Sequence, residues 1–409
     1  MTPRSTSLAA DSPKLLRPRG SNQVGMRAFN ERVVLQAIRL NGSVPKAELA
    51  RLTRLTAQTI GLITTRLEDD ELVIKHERVR GRIGQPSVPL ALNPDGAFSI
   101  GIKIGRRRAE WLLVDFTGQV RQRQTLDYAF PDAHTLLPAI GERMNAMRDE
   151  LGPLSPRLVG VGVAAPFQLG GWHKMLGLSE AQSNEWNQID LGAQVQAMTD
   201  APVSFAKDTS AACVAELVTG RGRDLKSFLY LFVDTFVGGG LVINSHLHVG
   251  LHGNAGAVAS LPSSIAVGTT PPGQVISQAS LWELEQRFIA HGLDPSAAYD
   301  ERAMSAPFEM ETSAWLANAA NALAHCVVSG TAFLDIEAVV IDGSFCRALL
   351  NRVIERTNEA LQRYNWEGLW PATVIAGNVG PDAAALGGAL LPLHANFAPD
   401  QELFLKVGV

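Results

Sequence analysis

Cysteine is scarce in this 409-residue chain, and the three present, Cys213, Cys326 and Cys346, are odd in number and far apart. This excludes a disulfide framework and a CxxC metal or redox motif, and predicts a reducing, cytoplasmic setting. Long apolar runs are missing too. Residues 1–20 lack the apolar core of a secretion signal, and the most apolar later stretch, 228–243, is broken by Asp234 and three glycines, so no membrane span is expected. Charged residues make up 19% and aromatic residues 6%, against 46% hydrophobic, with 37 Gly and 22 Pro. That profile excludes disordered and collagen-like chains and suits two or three globular domains.

The net charge of -4 conceals a division. Up to Pro86 there are 15 Lys or Arg against 8 Asp or Glu, a charge of +7, while the remainder, with 21 against 32, carries -11. Clustered positive charge is the electrostatic footprint of a nucleic-acid partner. Residues 1–24 mix Pro, Ser, Arg and Gly without periodicity and read as a flexible basic tail. Residues 29–40 then set Val33, Val34, Leu35, Ala37, Ile38 and Leu40 at helical spacing, with Asn41 and Gly42 as a stop. Pro45 opens a second helix through Leu52. A break at 53–56 precedes a third over 57–67, with Thr56 as its N-cap and Ile60, Ile63 and Leu67 facing inward.

Val73, Ile74 and Val79, interleaved with Lys75, Arg78, Arg80 and Arg82, read as a two-stranded basic ribbon. Three helices and a ribbon over residues 25–86 predict an α+β winged helix-turn-helix that binds double-stranded DNA. Ala57, Gln58, Thr59, Thr64 and Thr65 are then its base readers, because small hydroxyl and amide side chains suit a major groove. Arg54, Arg66, Arg78 and Arg80 are its phosphate grips. Arg82 and Gln85 lie in a Gly-rich stretch that is either a plain connector or a basic arm entering an adjacent minor groove. Clustered Pro and Gly make residues 87–96 a linker.

From residue 98 a strand, a basic turn and two more strands lead to a helix over 133–151 and a buried strand over 158–164. Strands at 228–233, 240–244 and 247–249 repeat the three-strand theme, with helices near 312–330, 347–364 and 381–391 around strands 338–341 and 372–375. This predicts two similar α/β lobes with a cleft between them. The segments LARLTRLTAQTIGLITTRL, GRIGQP, the strand pair before VDFTGQV, KDTSAACVAEL and VGGGLVINSHLHVG, in that order, resemble the ROK family of repressors, open reading frames and kinases. The resemblance covers nearly the whole chain and implies an actin-like, two-lobed sugar kinase fold over residues 97–409.

Family motifs carried over residue by residue imply a degenerate kinase. The first phosphate turn, Asp-x-Gly-Gly-Thr-Lys in family kinases, has Lys103 for the Asp, keeps Gly105, and has Arg106 and Arg107 for the second Gly and the Thr. The second turn, Gly-Thr-Gly-x-Gly-Gly-Gly, reads DTFVGGG at residues 234–240, with Asp234 and Phe236 intruding. A nucleotide-contacting Gly-Gly pair reads Asp342 and Gly343. These changes predict no ATP binding and no enzyme activity, since clamping phosphate is most of what such an enzyme contributes.

On the sugar side, Lys207 and Asp208 stand for the family's Asn-Asp pair. Asp208 is either an acceptor for a sugar hydroxyl or simply a helix cap. Asn184, Trp186 and Asn254 are further candidate contacts. Ala257 and Ser260 replace a sugar-binding Glu and a zinc-binding His, and Gln274 and Ile276 replace a cysteine ligand and a second Glu, so neither zinc nor any cofactor is expected. His246, His248 and His252 have no matching acid or thiol and predict no metal. The resulting expectation is a sugar-responsive repressor, a homodimer or tetramer on operator DNA. Its rivals are an active kinase with a DNA-binding head and a regulator governed by a protein partner.

Overall fold

The computed structural model describes residues 16–17, 23–76, 88–171, 173–177, 179–269, 271–399 and 406–407. These form two compact units, one of the residues up to Gly96 with those from His394 on, the other of Ala97–Leu393.

In the first unit, helices α1 (Gln23–Asn41), α2 (Lys46–Thr53) and α3 (Ala57–Asp69) pack together. Their apolar positions recur at helical spacing, so Val34, Leu35, Ile38, Leu49, Ile60, Ile63 and Leu67 are all buried. Arg54 closes α2 in the left-handed conformation, φ 57°. Thr56 then caps α3, its hydroxyl accepting from Thr59 N at 3.1 Å. The sheet beside them has the order β2 (Val44–Pro45), β4 (Pro89–Leu92), β3 (Val73–Lys75), all antiparallel.

This sheet corrects the linker. The described partner of β3 is Pro89–Leu92, with Val73 opposite Leu92 and Lys75 opposite Leu90, whereas the expected second ribbon strand around Val79 lies outside the described residues. The segment 87–96 is thus partly a central strand, because alternate residues Leu90 and Leu92 bury their side chains. Arg78, Arg80, Arg82 and Gln85 lie outside the described residues. Within the expected tail, β1 (Leu16–Arg17) pairs antiparallel with β15 (Lys406–Val407), and α1 begins at Gln23.

The second unit contains two five-stranded sheets of the same pattern. One has the order β7 (Val120–Asp127), β6 (Arg108–Asp115), β5 (Phe98–Ile104), β8 (Leu158–Ala165), β9 (Val203–Lys207). The other runs β12 (His246–Leu247), β11 (Val237–Ile243), β10 (Phe228–Val233), β13 (Ala338–Gly343), β14 (Thr373–Ala376). In each, the first strand in sequence pairs antiparallel with its hairpin partner on one side and parallel with a crossover strand on the other. The sequence of strands and crossovers is repeated, as the two-lobe expectation requires.

In the first lobe, Ile100, Ile102 and Trp111 pack with Leu136, Ile140 and Met144 of α4 (Ala133–Glu150). Short helices α5 (His173–Leu176), α6 (Glu180–Gln188) and α7 (Leu191–Gln196) follow β8, and α8 (Asp208–Thr219) follows β9. In the second lobe, Trp315 and Leu323 of α11 (Glu309–Leu334) and Leu349 and Val353 of α12 (Arg347–Leu361) share a core with Leu231 and Ile341. Helices α9 (Ile276–Ala279) and α10 (Leu281–Ala290) precede them, and α13 (Ala383–Phe397) comes last.

Helix α13 meets the first sheet through glycine. A Cβ on Gly162 would overlap the Gly388 carbonyl oxygen, and one on Gly101 the Ala385 carbonyl oxygen. Both contacts are backbone, which cannot swing aside. Gly162→Ala is therefore expected to destabilise the protein by about 1–3 kcal/mol, read as a lower midpoint at unchanged slope in chemical denaturation.

Candidate functional site

Parallel strands place the turns that follow them at one edge of a sheet, which is where ligands of α/β folds bind. Here the ends of β5, β9 and β10 converge on a cleft of about 480 Å³. Lys103 enters from the end of β5, Gly105 and Arg106 from the β5–β6 turn, Lys207 from the end of β9, Asp208 and Thr209 from the start of α8, residues 234–236 from the β10–β11 turn, and Asn254 from the loop after β12.

The two phosphate-type turns are tied to each other. Lys103 Nζ lies 3.3 Å from Asp234 Oδ2 and 3.5 Å from Glu110 Oε1. The Arg106 guanidinium sits 4.5 Å over the centre of the Phe236 ring. Burial alone would push the Lys103 ammonium down, but Asp234, Glu110 and Asp208 outweigh it and hold it above the usual lysine range. Burial pushes Arg106 down to about 10 against the opposing pull of Asp208 and Asp234, which still leaves it a cation at neutral pH. Lys207 is pushed down to about 8 by burial, with Asp208 opposing. Burial raises the Asp208 carboxyl above the ordinary range, opposed by Arg106 and by the Thr209 N–H that donates to Oδ1 at 2.7 Å.

Of the candidate contacts, the cleft brings together Lys207, Asp208 and Asn254. Lys207 Nζ donates to Asn254 Oδ1 at 3.3 Å and to Ala255 O at 2.9 Å, linking the end of β9 to the loop after β12. Trp186 is a correction. It is buried in the first-lobe core, its indole N–H donates to Pro131 O at 2.8 Å, and it does not line this cleft. Asn184, on the exposed side of α6, does not line it either.

Asp342 also differs from expectation. It is fully buried and satisfied from within, accepting from Gly343 N at 2.9 Å, Gly380 N at 2.7 Å and Arg347 Nη1 at 3.0 Å. Ala257, Ser260 and Ile276 line the cleft, and Gln274 donates to Ser260 O at 3.2 Å. This donor set does not suit zinc, and among the described residues no three His, Cys, Asp or Glu side chains converge on a metal position.

In the first unit, Arg54, Ala57, Gln58 and Thr65 are exposed and Thr59 is half-buried at the start of α3. Two expected DNA contacts are corrected. Thr64 is fully buried, its hydroxyl donating to Ile60 O at 2.8 Å, so it reads no base. Arg66 donates through Nε to Glu31 Oε1 at 2.8 Å, which commits it to joining α3 to α1. One residue was missed. Leu62 is 60% exposed four residues after Gln58, on the same helix face, and an exposed leucine there was legible as a break in the inward apolar pattern.

The ROK family model matches residues 99–265. The xylose repressor of Bacillus spizizenii is 25% identical over 246 residues, 59% of this chain and 62% of that protein, so this chain spans about three-fifths of that relative's length. A ROK family transcriptional regulator, a homologue of the E. coli MLC protein, superposes with a TM-score of 0.66 at 18% identity, over 91% of this chain and 98% of that one. A ROK family glucokinase from Streptomyces griseus, solved with glucose and AMPPNP, gives 0.57 at 19% identity, over 72% and 99%. At such identities the solved structures show the fold alone.

Proposed function

We propose, from the match of residues 99–265 to the ROK family model, that this chain is a carbohydrate-responsive transcriptional regulator. In this reading it is a repressor, at least dimeric, whose kinase-like body senses an effector and whose first unit reads operator DNA through the N-terminal half of α3. One observation carries the sensing half: Lys103 and Asp234 form an ion pair across the positions that would cradle a triphosphate, while Asp208 remains on the wall of the same cleft. A site whose phosphate turns hold each other offers no electrostatic clamp for phosphoryl transfer, yet it keeps an acceptor for hydroxyl groups. The repressor name of the Bacillus relative and the basic charge of the first unit support the DNA half.

A dimer places two copies of α3 on the half-sites of a near-palindromic operator. Effector binding then lowers operator affinity only as far as its differential affinity for the two states allows, typically about 1–3 kcal/mol or 5–150-fold. The test is operator binding by purified protein across a carbohydrate panel, with thermal unfolding in parallel, since a ligand of the native state raises stability by mass action. A carbohydrate that raises the melting temperature and weakens operator binding is the expected result. If no member of a broad panel does either, the sensor reading fails. Sugar-dependent ATP hydrolysis is expected to stay at background, and measurable turnover would overturn the argument from the tied phosphate turns.

A further inference from the structure

The cleft contains three cations, and they are not equivalent. Lys103 is committed to Asp234 and Glu110. Nearby Arg107, Arg108 and Arg123 are each held by a carboxylate, on Glu285, Asp127 and Asp382. Arg106 and Lys207 have no carboxylate within ion-pair distance among the described residues. Arg106 makes one long hydrogen bond, Nη2 to Gln168 O at 3.4 Å, and its Nε is enclosed with no partner. Lys207 is buried and donates only to the neutral oxygens of Asn254 and Ala255.

A buried Lys207 and a half-buried Arg106 with no carboxylate at ion-pair distance among the described residues cost desolvation energy that a bound anion would offset. Charge also decides where that anion sits. At the Lys103 end two carboxylates face one ammonium, an excess of negative charge. At the other end two cations, Arg106 and Lys207, face one carboxylate, Asp208, an excess of positive charge. The rest of the lining is polar enough for hydroxyls, with Asn254, Thr209 and Ser260, and offers the Phe167 ring as an apolar face.

We propose that the effector is an anionic carbohydrate, a sugar carrying one carboxylate or phosphate, whose charged group is held by Arg106 and Lys207 while Asp208 meets a hydroxyl. This rests on the effector reading above and narrows it to one ligand class. A guanidinium and an ammonium converging on one group are the usual protein recognition of carboxylate and phosphate oxygens.

The experiment measures thermal unfolding and direct binding on the intact protein at constant ionic strength. The panel holds neutral pentoses and hexoses, the matching uronic and aldonic acids, and the matching sugar phosphates, with inorganic phosphate as control. Acids or phosphates are expected to bind at least about tenfold more tightly than their neutral parents, the loss of one charge-assisted contact being worth that much. Which of the two arms responds identifies the charged group. Arg106→Gln and Lys207→Asn should each reduce that preference about tenfold or more, with the melting curve of each unliganded variant reporting its fold.

Neutral sugars binding as well as or better than the charged ones would overturn the anionic class while leaving the effector reading standing. A preference unchanged in both variants would overturn the assignment to Arg106 and Lys207. A panel in which nothing binds would remove the effector reading itself, and this proposal with it.

Discussion

An Asp208→Ala variant should retain its fold and its operator affinity and lose its response to effector, with ligand binding weakened by about one to two orders of magnitude. The size follows from removing a hydrogen bond to a charged acceptor, about 1.5–3 kcal/mol. The carboxylate is the only acid at its end of the cleft among the described residues, and the adjacent Thr209 N–H donates to it at 2.7 Å. Asp208→Asn separates the two roles left open for this residue. Its amide oxygen can still accept from Thr209 N and so preserve the start of α8, but it lacks the charge of the carboxylate. If the Asp208→Asn protein behaves as wild type toward effector, the residue is only a helix cap; if it loses the response with an unchanged melting temperature, the residue is a ligand contact. Titrating operator affinity against effector for the three proteins makes the comparison.

Substitutions on α3 and at the turn before it should divide into two kinds. Gln58→Ala is expected to weaken binding to the operator by about 1–3 kcal/mol, roughly 5- to 150-fold, with little change on unrelated DNA, because an amide side chain reads a base edge. Arg54→Ala should weaken both alike and flatten the dependence of log affinity on log salt by about one unit, the mark of a lost phosphate contact. Both side chains are exposed at the N-terminal end of the helix, where base readers sit. Arg66→Ala serves as the contrast. Its guanidinium is held by Glu31, so it should cost stability and leave the salt slope unchanged. A large change of slope for Arg66 and none for Arg54 would place the DNA on a different face of the unit.

Much of this architecture was legible because it is written in local patterns. The strand FSIGIKI, the helix with Thr56 as its cap, and the repeated order of three strands followed by crossovers all depend on neighbours within a few residues, and each appears close to its expected bounds. Less legible were features set by partners far along the chain. The partner strand of Val73–Lys75 lies beyond the Gly-rich stretch, at Pro89–Leu92, and nothing local to either segment states that they meet. Periodicity placed Arg66 on an outer face, but Glu31, 35 residues away, claims it. Trp186 carried the composition of a sugar-stacking residue and became core, held by Pro131 O.

The sequence by itself therefore determined the repeated order of strands and crossovers, the basic and acidic division at +7 and -11, and the residue types carried by the β5–β6 and β10–β11 turns. What those residues do to each other was decided only in three dimensions. Lys103 and Asp234 lie 131 residues apart and look like independent substitutions on paper, yet they meet because strands of the two mixed sheets end at the same cleft. The pairing of Lys103 is also what leaves Arg106 and Lys207 as the cleft's cations without a carboxylate among the described residues. A residue type is a property of the chain, whereas whether a charge is spent or available depends on distance and burial, and those belong to the fold.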